Sequence, residues 1–164
     1  MQTAEERVAR VQRASMTEVE LLAALEDRCV DVRLEAVRHP EATEAVLIRA
    51  LADPCDDVRV AAVRHVAASE AVLIRALEDA DWGVRWAATR RSDATEAVLE
   101  RASRDDDWRV RHAAAEHRGT PPVVLARAIT DPDWRVCRAA LLPPVPPPEP
   151  VLEVDAGPGL EVEF

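Results

Sequence analysis

The sequence contains no lysine and no tyrosine, one phenylalanine, four glycines and three cysteines among 164 residues. Without lysine, all 21 basic residues are arginines, set against 31 acids for a formal net charge of −10. A chain this acidic makes a poor general ligand for DNA, RNA or anionic lipid, whose phosphates reward clustered cations. Four glycines leave little room for a phosphate-cradling loop, and neither a G-x-S-x-G elbow nor an HExxH pair occurs. No run approaches the roughly 18 consecutive apolar residues of a membrane span. The opening MQTAEERVAR lacks the apolar stretch of a secretory signal. An odd number of cysteines in such a chain predicts free thiols in a cytoplasmic protein rather than a disulfide framework. With four tryptophans and Phe164 as the only aromatics, a core has to be built from Ala, Val, Leu and Ile.

What the sequence does have is self-similarity. TEVELLAALEDRCVDVRLEAVRHPEA starts at Thr17 and TEAVLIRALADPCDDVRVAAVRHVAA at Thr43. SEAVLIRALEDADWGVRWAATRRSDA follows from Ser69, TEAVLERASRDDDWRVRHAAAEHRGT from Thr95, and PPVVLARAITDPDWRVCRAALLPPVP from Pro121. The five starts are evenly spaced, with no insertion in any copy. A constant period of this kind marks a stacked repeat rather than a single globular layer.

Each copy reads as two short helices. Thr43, Ser69 and Thr95 are placed to cap the first, and Pro121-Pro122 pre-sets the same entry. Leu21, Leu47, Leu73, Leu99 and Leu125 form its apolar column, with Leu25, Leu51, Leu77 and Ile129 one turn on. Asp27, Asp53, Asp79, Asp105 and Asp131 mark the turn that ends it. The second helix starts after Asp81, Asp107 or Asp133 as N-cap and carries Val32, Val58, Val84, Val110 and Val136. Ala36, Ala62, Ala88, Ala114 and Ala140 follow, small enough for neighbouring helices to approach closely. Helices of about ten residues cannot bury their apolar faces alone, so the copies must stack.

The expected fold is therefore all-α: a right- or left-wound α-solenoid of five 26-residue two-helix repeats over residues 17–142. Residues 1–16 form an N-terminal capping helix, in which Thr3 and Glu6 make a capping box and Arg7 lies one full repeat before Arg33. Residues 143–164 form a Pro-rich linker, extended because PPVPPPEP cannot be helix, and an acidic tail with five acids and no base.

Residues 121–140, PPVVLARAITDPDWRVCRAA, most clearly carry a pattern that resembles the leucine-rich repeat variant family, short-repeat solenoids similar in style to HEAT repeats. The resemblance covers about 130 of the 164 residues and implies the fold; solenoids host too many roles for it to imply a function. A cysteine cluster that holds an iron–sulfur centre in that family has no counterpart, since residues 1–28 contain no Cys.

Several columns are candidates for function. The Arg33, Arg59, Arg85 and Arg111 column, broken by Cys137, faces the Asp column, and a guanidinium fork suits stitching one layer to the next. Trp82, Trp108 and Trp134 share a column, with Trp86 a turn after Trp82. Trp82, Arg85, Trp86 and Arg90 fall at helical spacing opposite the Val/Ala stripe, and Trp with Arg is the composition of an interaction hot spot. Arg109, His112, Arg135 and Arg138 extend this second-helix surface. The second-helix bodies hold ten arginines against Glu35 and Glu116 alone.

His39, His65 and His117 share one position, roughly one layer of about 10 Å apart, too far for joint metal ligation; they read as helix C-terminal caps. Cys29 and Cys55 read as small packed or loop thiols, and the Asp105–Asp107 run as a turn plus N-cap. No metal, cofactor or catalytic residue is expected.

The functional expectation is a non-catalytic protein-interaction or scaffold module, its partner along the second-helix face at Trp82, Arg85, Trp86, Arg90, Trp108, Arg109, His112, Trp134, Arg135 and Arg138. Two other classes stay open from sequence: a HEAT-like nucleic-acid-binding or DNA-repair protein, and a HEAT-like enzyme handling a cofactor or chromophore. Exclusive use of Arg points to a GC-rich bacterial genome.

Overall fold

A computed structural model describes residues 2–141, which form eleven α-helices and, among those residues, no strand. The Pro-rich linker and acidic tail lie outside the described residues. The helices are α1 (Ala4–Val11), α2 (Glu18–Ala24), α3 (Val30–Arg38), α4 (Glu44–Ala50), α5 (Asp56–Arg64) and α6 (Glu70–Ala76). They continue with α7 (Trp82–Thr89), α8 (Glu96–Ala102), α9 (Trp108–Glu116), α10 (Pro122–Ala128) and α11 (Trp134–Leu141). Contacts between them are those of a helical repeat. Odd-numbered helices pack side by side in one row from α1 to α11, even-numbered helices in a second row from α2 to α10, and sequence neighbours join the rows. No described helix is long and apolar enough to cross a membrane.

The core is the seam between the rows. Leu21, Leu47, Leu73 and Leu99 from the even row are fully buried, as are Val58, Val84 and Val110 from the odd row. Ala36, Ala62, Ala88 and Ala114 are buried without any exposure, so the odd-row helices meet over methyl groups. Burying a Leu or Val side chain is worth roughly 1.5–3 kcal/mol, and each helix shares that gain with two neighbours.

Helix entry follows the capping hydroxyls except at Thr43, while α3, α5 and α10 start after Cys29, Cys55 and Pro121 with no side-chain cap bond. Thr3 and Thr17 form full capping boxes with Glu6 and Glu20, while Ser69 and Thr95 accept from the amides of Val72 and Val98. Thr43 makes no side-chain cap bond; its hydroxyl donates to Glu18 on the preceding even-row helix. The same displacement is half made at Ser69, whose hydroxyl also donates to Glu44 at 2.9 Å. In both cases the hydroxyl bridges two helices as well as, or instead of, closing its own.

Two hydrogen-bonded rows tie neighbouring helices together. In the first, each Arg reaches forward to the Asp of the next turn. Arg33, Arg59 and Arg111 donate through Nε to Asp53, Asp79 and Asp131 at 2.7 Å, and Arg85 to Asp105 at 2.8 Å. Nη2 reaches the second oxygen of the same carboxylate at 3.0–3.2 Å, and Nη1 the backbone carbonyl of the preceding Asp27, Asp53, Asp79 or Asp105 at 2.9 Å. Arg7 opens the row on Asp27. Cys137 closes it: its thiol makes only the backward contact, 3.0 Å to the Asp131 carbonyl. A guanidinium has the fork to serve a carboxylate and a carbonyl together, which a thiol lacks.

The second row was not legible as such. His39, His65 and His117 are C-caps, yet their rings do not merely answer the helix dipole. Nδ1 accepts from the backbone amide two residues on, in Glu41, Ala67 and Gly119. The proton therefore sits on Nε2, which donates to a carbonyl of the preceding layer, in Arg13, His39 and Arg91 respectively. Arg91 takes the histidine position in the middle of the chain and donates to the same class of acceptor, the His65 carbonyl, at 2.6 Å. The sequence pattern shows three histidines; the structure adds Arg91 as the fourth member.

The ends of the first row carry a pH signature. Arg7 and Arg111 donate to Asp27 and Asp131 and hold those carboxyls below the usual range, against the opposing cost of burial. A carboxylate whose folded pKa lies below its unfolded value stabilises the fold at all pH above the unfolded value of about 3.9, and that stability is lost as pH falls through the folded pKa. Arg111→Gln removes the largest cause of the differential at Asp131, leaving the Asp133 amide as the smaller one. The variant's loss of thermal midpoint below about pH 4 should be shallower than in the parent chain, as read by circular dichroism melts across the acid range. An acid limb of unchanged slope would contradict the assignment.

Candidate groove on the odd-numbered helices

All four tryptophans lie on the odd row between α7 and α11, and they line one groove of about 1130 Å³. The sequence builds it simply. Asp81, Asp107 and Asp133 place a carboxylate two residues before the amide of Gly83, Arg109 or Arg135, and accept from it at 2.7–2.9 Å. That fixes Trp82, Trp108 and Trp134 at the first helical position; Trp82 and Trp134 are exposed there, whereas Trp108 also packs against the cluster of Ala115, Ala128 and Val136.

The rings do not pack on one another. Arginine from the next odd-numbered helix sits between each pair. Arg109 lies over Trp82 at 4.6 Å from the ring centroid and over Trp108 at 5.0 Å. Arg135 lies over Trp108 at 4.3 Å and over Trp134 at 5.7 Å. The result is an alternating stack of Trp82, Arg109, Trp108, Arg135 and Trp134, in which each cation meets two ring faces. Asp107 and Asp133 hold the two guanidiniums from outside at 3.3 Å. The stack starts where the chain first has a ring to offer. The corresponding sites on α3 and α5 are Val30 and Asp56, and Gly83 follows Trp82 where Arg follows Trp108 and Trp134. It stops with Trp134, which is 63% exposed and has no further Arg across its outer face among the described residues.

Deeper in the groove, Arg90 lies 5.3 Å over Trp86 and contacts Glu116 at 3.3 Å, and the Trp108 ring meets His112 edge-on at 6.2 Å. Trp86 is half-buried against the core, which corrects its expected place on a fully outward face. Arg118 and Arg138 also line the groove, and neither has a carboxylate within ion-pair range among the described residues. Five arginines thus line a cleft walled by indole rings and by Leu125, Ala139, Ala140 and Leu141; Arg90 is paired with Glu116 inside it, and Arg109 and Arg135 with Asp107 and Asp133 at its edge. In a protein of formal charge −10 this is a local reversal of sign.

Nine of the ten residues expected on this face line the groove: Trp82, Trp86, Arg90, Trp108, Arg109, His112, Trp134, Arg135 and Arg138. Arg85 does not. One residue past the buried Val84, it sits at the flank of α7 and turns to Asp105 with 15% of its side chain exposed. The hydrogen bond to Asp105 holds its guanidinium more firmly protonated than usual, against the cost of burial. Glu116, Arg118 and the apolar end at Leu125 and Leu141 were missed. Arg118 gave a signal, being part of the Arg-rich second-helix segments; Leu125 gave none, since its column is buried elsewhere in the chain.

Other clusters are thin. Among the described residues the one group able to offer three ligands to a metal is Cys55, Asp56 and Asp57, three consecutive residues at the start of α5 with both carboxylates exposed. The histidine column offers no shared site, because each ring is committed on both nitrogens. No family model matches the chain, and comparison with curated proteins gives no match.

Proposed function

We propose that the chain is an α-solenoid of five 26-residue repeats, of the leucine-rich repeat variant kind, that works as a non-catalytic protein-interaction module. Its groove takes an extended partner segment that combines carboxylates with apolar or proline residues. The observation that carries this reading is the Trp/Arg stack and its unpaired neighbours Arg118 and Arg138, in a cleft where arginines outnumber acids. Indole faces suit proline rings and aliphatic side chains, and guanidiniums beside them suit carboxylates. Such residues are also those that dominate binding energy at protein interfaces.

The test is to pan a random-peptide library on the full chain and on Trp134→Ala/Arg135→Ala of verified helicity. Enrichment of acidic sequences with Pro, Leu, Val or Phe by the parent chain, lost in the double variant, is the expected result. Equal enrichment by both proteins would overturn the groove as the site. Salt-sensitive capture of a single-stranded oligonucleotide with no peptide enrichment would replace a protein partner by a nucleic acid.

A further inference from the structure

The groove opens at one end onto α10 and α11, which expose apolar positions that are buried or, at Leu51, half-buried elsewhere in the chain. Leu125 is half-buried, whereas Leu21, Leu47, Leu73 and Leu99 in the same sequence column are at most 1% exposed. Ile129 is 51% exposed against 6% for Leu25 and 7% for Leu77, and Leu141 is 68% exposed. This apolar end and the Arg-rich cleft are continuous, because Leu125 and Leu141 line both.

The chain itself continues from that point. Residues 143–164 follow Leu141 after a single residue, carry Glu149, Glu153, Asp155, Glu161 and Glu163, and contain no Arg, Lys or His. They also hold seven prolines, with Val, Leu and Phe side chains between the acids. We infer that residues 143–164 dock in cis on the groove of α7, α9 and α11, as a built-in competitor for the partner segment; this rests on the reading proposed above.

Charge, reach, tethering and proline content support this occupant. Charge is complementary, since five carboxylates meet a cleft whose five arginines outnumber Glu116 within it and Asp107 and Asp133 at its edge, with Arg118 and Arg138 in no ion pair among the described residues. Reach is ample: an extended chain gains about 3.1 Å per residue, so the segment spans far more than the roughly 20 Å across three packed helices. Tethering at the mouth of the groove gives the segment an effective concentration of about millimolar, so modest contacts suffice for occupancy. The prolines lower the ordering cost of lying extended along the indole faces.

Because all four tryptophans line the groove, their accessibility reports its occupancy. The experiment measures acrylamide quenching of tryptophan fluorescence in the full chain and in a full-length variant carrying Glu149→Gln, Glu153→Gln, Asp155→Asn, Glu161→Gln and Glu163→Gln. At low ionic strength the variant should quench about twofold more readily, and raising salt to about 1 M should bring the parent chain up to the variant's value while leaving the variant unchanged. Equal quenching of the two proteins at low salt would overturn the inference, as would protection that grows with protein concentration, since the segment would then occupy a second copy. The outcome is separable from the function proposed above. Library enrichment with equal quenching removes the internal competitor and leaves the groove; salt-sensitive protection without enrichment keeps the internal contact and removes the external partner.

Discussion

Asp79→Ala should destabilise the chain by about 3 kcal/mol, the cost of leaving a mostly buried guanidinium without its partner. Arg59 and Asp79 retain 15% and 8% side-chain exposure, so solvent cannot take over the charge. The carboxylate accepts from Arg59 at 2.7 and 3.2 Å and from the amide of Asp81 at 2.8 Å. Ala at 79 therefore orphans one charge and one helix-entry amide together. Arg59→Met with Asp79→Leu removes the orphaned charge and should recover part of that loss, although the Asp81 amide stays unpaired. The effect should also depend on position. Asp27 pairs with Arg7 near the end of the stack, where the two side chains are 16% and 20% exposed, and Asp27→Ala should cost about 1 kcal/mol. Denaturant unfolding of the three variants checks the ordering. Equal and small losses at both positions would mean that the Val, Leu and Ala seam alone holds neighbouring helices together.

Trp134→Ala/Arg135→Ala should lower affinity for a panned acidic peptide by about a hundredfold while changing stability by about 1 kcal/mol or less. The two numbers separate because of exposure. Trp134 is 63% exposed and ends the stack, so few of its contacts belong to the folded core. Arg135 spans Trp108 and Trp134 and bonds to Asp133 from the surface, where an ion pair contributes little to folding. Trp108→Ala is the less clean variant, since that ring packs against Ala115, Ala128 and Val136 as well as against two arginines. Isothermal titration beside thermal melts reads both quantities. A large stability loss with unchanged affinity would make the stack a structural clamp between α7, α9 and α11.

Helix positions were legible because most are set locally, by a hydroxyl, carboxylate or proline at entry and a Leu or Val column at helical spacing. Arg7 lies 26 residues before Arg33, and it pairs with Asp27 as Arg33 pairs with Asp53. What the columns did not show is which layer each side chain serves. Arg33 bonds forward to Asp53 and backward to the Asp27 carbonyl, a choice set by the distance between packed helices rather than by the local sequence. Thr43 looks like Thr95 in sequence, yet its hydroxyl turns to Glu18, because a neighbouring carboxylate came within reach. Arg91 is the clearest case. An arginine in a histidine column reads as an interruption, but both side chains present a donor to the same neighbouring carbonyl.

The groove was legible in composition and not in construction. Trp82, Trp108 and Trp134 stood out as a column, and Arg109 and Arg135 as part of the same surface. That each arginine lies on the ring of the preceding odd-numbered helix depends on the stacking of layers, which brings Arg109 to Trp82 and Arg135 to Trp108. Arg85 was legible in two ways, in the Asp-facing column and on the tryptophan surface, and the structure places it in the first. Helical spacing put it beside Trp82 and Trp86, and the Asp105 carboxylate of the neighbouring turn drew it out of the groove.

The most direct test of the central claim is the ¹⁵N-resolved spectrum of the four indole N–H groups during titration of the full chain with a panned acidic peptide. If the Trp/Arg stack is a binding surface, the indole signals of Trp108 and Trp134 shift saturably with the peptide, while amides on α2, α4 and α6 stay in place. If the peptide binds and the indole signals do not move, the stack is packing between helices and the partner site lies elsewhere.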